Sequence, residues 1–323
     1  MIGKVAPDDL ASLVFSRTGA EDDDVLMGPK YGEDTAAVRI GGQVLVVNTD
    51  PISLAVERIG TLGVHVACND VAASGGRPRW LTMAVFLPGE SADPLDAITA
   101  QVDEAARELG VAVVGGHSEY APERSRPMLV LTCLGLADEY VPTGGVEPGD
   151  RIVLTKGAGI EGTAILATDF RDRLAGDVDA AVFDRAAAFY EEVSVVVDAE
   201  AVGPYAHAMH DPTEGGLTDG LLEMAVASGC SLEVDREAVP VREETATLCA
   251  AAGVDPLRIF GSGGLLAAVA ADDLEAALAA LGERGIDAAP IATAREADGD
   301  PAVIADGERR TEPGRDDLYA LWE

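Results

Sequence analysis

VLVVNTD (residues 44–50) and GVHVACNDVAASGG (residues 63–76) are the two stretches that decide the fold class of this sequence. The first is a Val-rich apolar run, which predicts a buried strand that ends in an acid. The second lies within residues 57–74, where apolar side chains recur at helical spacing and predict a buried helix. A buried strand followed directly by an apolar helix indicates an α/β protein.

The same alternation continues along the 323 residues. Apolar runs predict further strands at 80–88, 111–116, 128–137, 151–157, 206–211, 230–235, 265–270 and 290–296. Helical spacing covers about 94–109, 161–173, 181–197, 215–228, 243–252 and 274–281, with 193–198 also compatible with a strand. The segment 138–150 is dense in Pro and Gly and is the best linker candidate. We therefore predict two α/β domains, residues 1–145 and 151–323.

The sequence is strongly acidic. It contains 57 Asp and Glu but only 23 Lys and Arg, which gives a formal net charge of −34 at pH 7. Hydrophobic residues make up 48% of the chain, enough for a substantial core, so the acidity does not indicate disorder. Nucleic-acid phosphates and anionic lipid surfaces repel a chain of this charge, and we expect neither as a partner.

Two further features of the composition concern the protein's surroundings. No apolar run approaches the ~20 residues of a membrane span, and the start does not resemble a secretory signal, so we expect a cytoplasmic protein. Only three residues are Lys, and molar salt, with a Debye length of ~3 Å, screens most of the repulsion among the acids. The composition therefore favours the salt-rich cytoplasm of an extreme halophile over an ordinary acidic mesophilic protein.

The cysteines and histidines do not indicate a structural zinc site. They are scattered, with no CxxC pair and no zinc-like spacing. We expect four buried, reduced thiols at Cys68, Cys133, Cys230 and Cys249.

A glycine pattern in the second half resembles a dinucleotide-binding loop. Gly157-x-Gly159-x-x-Gly162 follows a predicted strand and opens a predicted helix. That unit also needs a second strand ending in an acid about 20 residues later, and here the segment is polar and then helical. We therefore expect no dinucleotide, while a phosphate-facing role for the turn stays open. The chain contains no GxxxxGK[ST] loop, which excludes a P-loop site.

Three aspartates stand out from the many that serve a solvated surface. Asp50 ends the first clear strand, and Asp70 interrupts an apolar helix, where an unpaired charge would be costly. Asp34 lies in the acidic turn GEDTAA that precedes a short apolar segment. Carboxylate oxygens are the ligands that Mg²⁺ prefers, usually together with substrate phosphates. The three aspartates therefore predict a magnesium site.

Two more segments are candidates for ligand contacts. A predicted buried strand ends in Gly115-Gly116, where a ligand can approach backbone amides. His117 follows and is a candidate general base, metal ligand or orienting group, against the alternative of a hydrogen-bonded structural histidine. In HDPTEGGL (210–217), Thr213 suits the N-cap of the next helix, and its turn can present amides to an anion.

Seven stretches, taken in order, resemble the superfamily of aminoimidazole-ribonucleotide synthetase (PurM), thiamine-monophosphate kinase, selenophosphate synthetase and the hydrogenase-maturation protein HypE. They are GEDTAAV, VVNTD, CNDVAASGGRP, VVGGHSE, GAGIEGTAIL, MHDPTEGGL and GSGGLLAAV, and they span nearly the whole chain. The similarity is greatest to HypE-type and archaeal synthetase-related proteins. It implies an α/β (α+β), two-domain PurM/HypE-like fold, with an N-terminal domain that forms a dimeric β-barrel and a C-terminal α/β domain.

The resemblance also implies ATP and Mg²⁺ in a cleft near the domain and subunit boundary. By motif match, Mg²⁺ on the phosphates would be held by Asp34, Asp50 and Asp70, and the catalytic residues would be Asp50, Asp70 and His117. The remaining matched residues would bind the nucleotide or face the acceptor: Asn69, Gly115, Gly116, Asp211, Thr213, Gly215 and Gly216.

Departures from the relatives leave the acceptor open. HypE proteins end in a tail whose terminal Cys carries a carbamoyl group, whereas the last Cys here is Cys249, so we do not expect cyanide-ligand synthesis by the usual route. Selenophosphate synthetase has a reactive Cys or selenocysteine near its N-terminus, and here no Cys precedes Cys68. Thiamine-monophosphate kinase has Ser-Asp-Gly-Leu where this chain has TEGGL (213–217), and many relatives carry an acid in place of His117.

The expected function is that of a Mg²⁺-ATP-dependent, homodimeric enzyme that activates an oxygen of an acceptor, either a small molecule or a group carried by a protein. Two alternatives stay open. One is an ATP-binding maturation or assembly partner with little turnover, and the other is a small-molecule kinase similar to thiamine-monophosphate kinase.

Overall fold

The chain builds two separate β-sheets, one from each half. The computed structural model describes residues 3–53 and 57–323, so the first two residues of the predicted N-terminal domain and residues 54–56 lie outside it. The strands are β1 (Val25–Met27), β2 (Ala36–Ile40), β3 (Gln43–Ile52), β4 (Arg77–Leu87), β5 (Ala112–Tyr120), β6 (Met128–Ala137), β7 (Arg151–Thr155), β8 (Ala206–His210), β9 (Cys230–Val234), β10 (Leu266–Val269), β11 (Ala288–Glu296), β12 (Val303–Ala305) and β13 (Glu308–Arg310).

Helices connect and cover these strands. They are α1 (Pro7–Leu13), α2 (Ile59–Ala73), α3 (Asp93–Leu109), α4 (Ile160–Thr168), α5 (Arg171–Leu174), α6 (Ala180–Ala187), α7 (Val196–Val202), α8 (Gly216–Ser228), α9 (Glu243–Ala252), α10 (Leu274–Glu283) and α11 (Tyr319–Trp322). Short 3₁₀ turns occupy 188–192, 203–205 and 236–238. Within the described residues, every helix is too short or too polar to cross a membrane.

The first sheet has the strand order β1-β2-β3-β6-β4-β5. Strands β3 and β6 pair antiparallel, from Val44 opposite Ala137 to Ile52 opposite Leu129, whereas β4 and β5 run parallel. Apolar residues of α2 and α3 pack on one face and bury alternate residues of β6. The sheet is open, with β1 and β5 at its edges, so a single chain does not form the expected barrel.

The second sheet has the order β13-β12-β9-β11-β7-β10-β8 and is covered on both faces. Helix α8 packs on one face, while α7 and α10 pack on the other. The strands at its centre are therefore apolar on both sides, as the four buried residues of β10 illustrate. The segment 138–150, predicted as a linker, contains no helix or strand and joins the two sheets.

Two predictions of secondary structure are wrong. The strand predicted as buried at 111–116 continues to Tyr120, and every residue of β5 is exposed at the sheet edge. The helices predicted over 161–173 and 181–197 are divided into α4, α5, α6, a 3₁₀ turn and the start of α7. The alternative strand at 193–198 does not form either, because α7 begins at Val196. Val193 and Val195, which precede the helix, are buried in two core clusters.

We expect tight packing between α2 and β6 to make Gly135 sensitive to substitution. A Cβ at this position would overlap the Val71 side chain and lie 2.6 Å from the Arg77 carbonyl oxygen. Gly135→Ala should therefore lower the free energy of unfolding by roughly 1–3 kcal/mol in urea denaturation. Gly42→Ala is the control, since its methyl group would meet no atom of the described residues within 4 Å. Equal stability of the two variants would contradict this packing.

Candidate functional site

A cavity of about 690 Å³ lies between the two halves of the chain. Its walls come from the N-terminal segment around α1, the loop before β2, the middle of β3, the start of α8 and residues 313–319. Asp34 and Asn48 line it on the side of the first sheet, and Glu214 and Glu223 line it on the side of the second. The cavity therefore joins elements that are far apart in sequence.

Asn48 holds two of the predicted metal-binding aspartates. Its side-chain nitrogen donates hydrogen bonds to Asp70 Oδ2 at 2.6 Å and to Asp50 Oδ2 at 3.1 Å. Its side-chain oxygen accepts a hydrogen bond from the Cys133 amide at 3.2 Å, which fixes the side chain against β6. The orientation of both carboxylates therefore depends on the register of β3 and β6.

Four carboxylates lie close enough together to affect the charge of Asp70, and Asp34 is the member that lines the cavity. We call them the acid cluster: Asp34, Asp50, Asp70 and Asp211. Asp70 is 3% exposed, and burial together with the charges of Asp211 and Asp50 raises its pKa well above the usual range. Asp211 is 1% exposed; burial also raises its pKa, and its polar neighbours include Asp70 and Asn69. Neither oxygen of Asp211 has a partner with hydrogen-bond geometry in the described part of the chain. The cluster therefore concentrates negative charge without enough donors.

The acid cluster fits a cation that is bound partly by phosphates. Among residues 3–53 and 57–323, no three His, Cys, Asp or Glu side chains are arranged to hold a metal ion by themselves. Mg²⁺ usually binds through one or two carboxylates plus substrate phosphates, so such an arrangement is not required. The oxygens of Asp211 that lack donors, and the raised pKa of Asp70, are what an incoming divalent cation would relieve.

His210 and Lys4 place positive charge beside the acid cluster. His210 Nε2 lies 3.0 Å from Glu223 Oε2, and its Nδ1 lies 3.4 Å from Asp34 Oδ2. Burial alone lowers the pKa of His210, but the bond to Glu223 and the charge of Asp34 outweigh it and raise that pKa to about 9. Lys4 Nζ lies 3.0 Å from Glu223 Oε1. Although Asp34 is 38% exposed to the cavity, desolvation by the cavity wall raises its pKa to about 7.

Asn69 and Lys156 bind backbone instead of lining the cavity. The Asn69 side chain donates to the Val193 carbonyl at 2.9 Å and accepts from the Val195 amide at 2.8 Å. Lys156 Nζ donates to the Ser194 carbonyl at 2.6 Å and lies 3.1 Å from Asp198 Oδ1. The two side chains therefore hold the same segment, one from each half of the chain.

Three other predicted residues lie away from the acid cluster. Gly115, Gly116 and His117 are on β5, which β6 and β4 separate from β3. His117 is 68% exposed, and its Nε2 lies 3.2 Å from Glu119 Oε2. A Cβ on Gly116 would overlap the Met83 carbonyl oxygen, so this glycine permits the close pairing of β4 and β5.

The turn before α8 differs from the prediction of a Thr213 N-cap. The N-cap residue is Gly215, with φ of 80°, and none of the described side chains caps the helix. The Thr213 carbonyl instead accepts hydrogen bonds from the amides of Gly216 and Gly261. A Cβ on Gly216 would overlap the Ile259 carbonyl oxygen. The turn is therefore shaped by packing against residues 257–261.

The glycine pattern at 157–162 does not face a phosphate. Strand β7 is antiparallel to both of its neighbours, whereas the strands of a dinucleotide-binding unit are parallel. The amides of Glu161 and Gly162, at the start of α4, donate to the carbonyls of Ser262 and Phe260. The protein's own backbone therefore occupies the position of an anion, and the phosphate-facing role left open for this turn is wrong.

Sequence reasoning did not include Lys4, Asn48 and Glu223 among the site residues. Asn48 lies two residues before Asp50 in the stretch that defines the first strand, and an amide this close to an acid was a usable signal. Lys4 and Glu223 gave no signal in the sequence, because they are 219 residues apart and come into contact only in the folded chain.

The fold and the acid cluster define a mixed α+β, two-domain protein with a carboxylate-rich site at the domain boundary. Family models match both halves: the N-terminal domain of AIR synthase related proteins over residues 32–137 and their C-terminal domain over residues 147–304. Together with the relatives described next, these matches show that the chain belongs to the AIR synthase-related family.

Carbamoyl dehydratase HypE from Cupriavidus necator is 33% identical, over 78% of this chain and 73% of that protein. Selenide, water dikinase from Nitratidesulfovibrio vulgaris is 32% identical, over 89% of this chain and 91% of that protein. The crystal structure of HypE in complex with ATP is similar, with a TM-score of 0.66 and 28% identity over 97% of this chain and 95% of that one. The resemblance inferred from the seven stretches is confirmed, and these relatives are enzymes.

The pKa of His210 predicts how stability depends on pH. A histidine whose pKa is raised from 6.5 to about 9 by folding stabilises the native state fully below 6.5, and that contribution disappears as the pH rises through 9. The free energy of unfolding should therefore fall between pH 6.5 and 9, and it should fall less in His210→Gln. Urea denaturation at several pH values measures both. A variant with the same pH dependence as the wild type would contradict the assignment of a charged His210.

Proposed function

We propose that the protein is a Mg²⁺-ATP-dependent phosphoryl-transfer enzyme that activates an oxygen of its acceptor. The acid cluster is the observation that carries the proposal, because its buried negative charge suits a divalent cation bound to a triphosphate. The HypE structure with bound ATP supports the choice of nucleotide.

Residues of this chain would then have distinct tasks. Asp34, Asp50 and Asp70 would hold Mg²⁺, whose charge neutralises the phosphate oxygens during transfer. Asn48 orients Asp50 and Asp70 through its two donated hydrogen bonds. His210, held by Glu223, places a positive charge beside Asp34 and keeps that carboxylate oriented towards the cavity.

Asp70→Asn tests the proposal most directly. The substitution preserves shape and removes the buried charge, so we expect a folded protein that no longer binds Mg²⁺-ATP and does not release ADP. Calorimetric titration in multimolar KCl, followed by an ADP-release assay with candidate acceptors, measures both. The control is Asp272→Asn, an exposed aspartate before α10, which should bind like the wild type.

The outcomes separate the alternatives. Binding by the wild type that Asp70→Asn retains would contradict the assignment of the acid cluster. Stoichiometric binding without ADP formation, even in the presence of cell extract, would favour an ATP-binding assembly partner with little turnover.

We also propose that two copies of the chain pair along β5. All nine residues of this edge strand are exposed, and they include the apolar Val113, Val114 and Tyr120. An exposed, apolar edge strand readily pairs with another chain. Pairing there would extend the open sheet towards the expected two-subunit barrel and place His117 at the subunit boundary.

Val114→Glu should disrupt this dimer. Val114 is 57% exposed, so the substitution places a charge in the proposed interface without disturbing the core. Sedimentation at high salt should show about twice the 33.3 kDa chain mass for the wild type and the single-chain mass for the variant. Val226→Glu, on the exposed side of α8, is the control and should sediment like the wild type. A wild type that sediments at the single-chain mass would contradict the pairing.

A further inference from the structure

Segment 192–195, which precedes α7, is held by side chains from both halves of the chain. We propose that Lys156, which holds it from the second half, is a positioning residue that keeps Asp70 of the acid cluster in place through Asn69. The inference rests on the proposed function, since it concerns how the metal site is held. It assigns to Lys156 a task at a cavity that its side chain does not line.

The backbone at Lys156 indicates that the lysine side chain is needed there. Lys156 follows β7 with φ of 58°, and among the described residues other than glycine only Asp306 also has a positive φ. Glycine adopts this conformation without steric cost, whereas a residue with a Cβ does not. The contacts of the lysine side chain are therefore expected to offset that cost.

The Lys156 ammonium group uses its hydrogen-bonding capacity within the protein. Its Nζ donates to the carbonyl oxygens of Ser194 at 2.6 Å and Glu192 at 3.2 Å, and it lies 3.1 Å from Asp198 Oδ1. Three donors therefore meet three acceptors. The Lys156 side chain is 12% exposed and that of Asp198 is 4% exposed, so water has little access to the ion pair. Lys156 thus acts through the segment that it holds.

Asn69 of α2 holds the same segment at its other two residues. Its side chain donates to the Val193 carbonyl and accepts from the Val195 amide. Lys156 binds the carbonyls of residues 192 and 194, so the four residues are bound in alternation by the two side chains. A loss on one side therefore leaves the other side attached to a loosened segment.

Apolar packing joins the segment to α2 independently of these hydrogen bonds. Val195 belongs to the same buried cluster as Ala72 and Ala73, at the end of α2. Val193 belongs to a second buried cluster, which contains Leu62 from the first turn of that helix. Close-packed side chains transmit a displacement to their neighbours. A movement of the segment is therefore expected to move α2.

Asp70 follows Asn69 directly, so the part of α2 that the segment holds is the part that carries this carboxylate. The hydrogen bond from Asn48 Nδ2 to Asp70 Oδ2 is 2.6 Å long, and a shift of the helix would lengthen it. Without the Lys156 ammonium group, segment 192–195 would lose two of its four hydrogen bonds to these side chains. The affinity of a metal ion bound by Asp70 should therefore depend on Lys156.

Lys156→Met tests the proposal, because it removes the ammonium group and keeps the apolar stem. Mg²⁺-ATP is titrated calorimetrically into the full chain, and electron paramagnetic resonance with Mn²⁺-ATP compares the geometry of the metal site. We expect an affinity about tenfold weaker than that of the wild type and a changed Mn²⁺ spectrum. Asn69→Ala should weaken the affinity similarly, and the double variant should lose no more than either single variant, because both act on one segment.

Two further variants separate positioning from stability. Lys156→Met leaves the buried Asp198 without its cation, which is costly, so a variant that adds Asp198→Asn removes that charge as well and keeps the test possible if the single variant does not fold. It should show the same loss of affinity. Ile291→Val shortens a fully buried side chain in a core cluster that contains no residue of segment 192–195. It should lower the free energy of unfolding in urea and bind Mg²⁺-ATP like the wild type.

Three results would overturn the proposal: wild-type affinity in the Lys156 variants, additive effects of Lys156→Met and Asn69→Ala, or an equal loss of affinity in Ile291→Val. Hydrogen exchange followed by mass spectrometry distinguishes this proposal from the proposed function, which fails alone if the wild type binds no Mg²⁺-ATP. Even then, Lys156→Met should accelerate exchange at 193–196 and at 69–73 of α2. Unchanged exchange in α2 would show that Lys156 does not position Asp70.

Discussion

The burial of Asp70 is the constraint on which the site depends. A carboxylate inside an apolar helix is tolerated only with hydrogen bonds, nearby cations or a raised pKa. Asn48 supplies one hydrogen bond, but Asp50 and Asp211 add negative charge, and the pKa of Asp70 rises. The positive charge of His210, which offsets the charges of Asp34 and Asp211 in the same cluster, comes from the second half of the chain. The site therefore exists only where the two domains meet.

Helix α2 couples that constraint to the arrangement of the domains. Asn69 and Asp70 are consecutive, so their side chains leave the helix in directions about 100° apart. Asp70 belongs to the acid cluster, while Asn69 is bound to the backbone of Val193 and Val195. A shift of the second domain relative to the first would move α2 through Asn69 and displace Asp70 with it. Asn69 thus acts on the site through position, without lining the cavity.

The sequence predicted most of the long elements but not the environment of each. Strand β6 was predicted at its observed limits, because ten consecutive residues carry a clear apolar pattern. The predicted burial of β5 failed because an apolar run has the same appearance in a core strand and in an exposed edge strand. The aspartates at 34, 50, 70 and 211 could be predicted as site residues because each belongs to a recognisable motif. Lys4 and Glu223 were not, because their pairing depends on tertiary structure alone.

The charge of the acid cluster restricts what can bind at this boundary. Its carboxylates would repel a free triphosphate, whereas a nucleotide that arrives with Mg²⁺ brings the positive charge that the cluster lacks. In the proposed function, the metal ion and the nucleotide would therefore bind together, and the site would discriminate against the nucleotide alone.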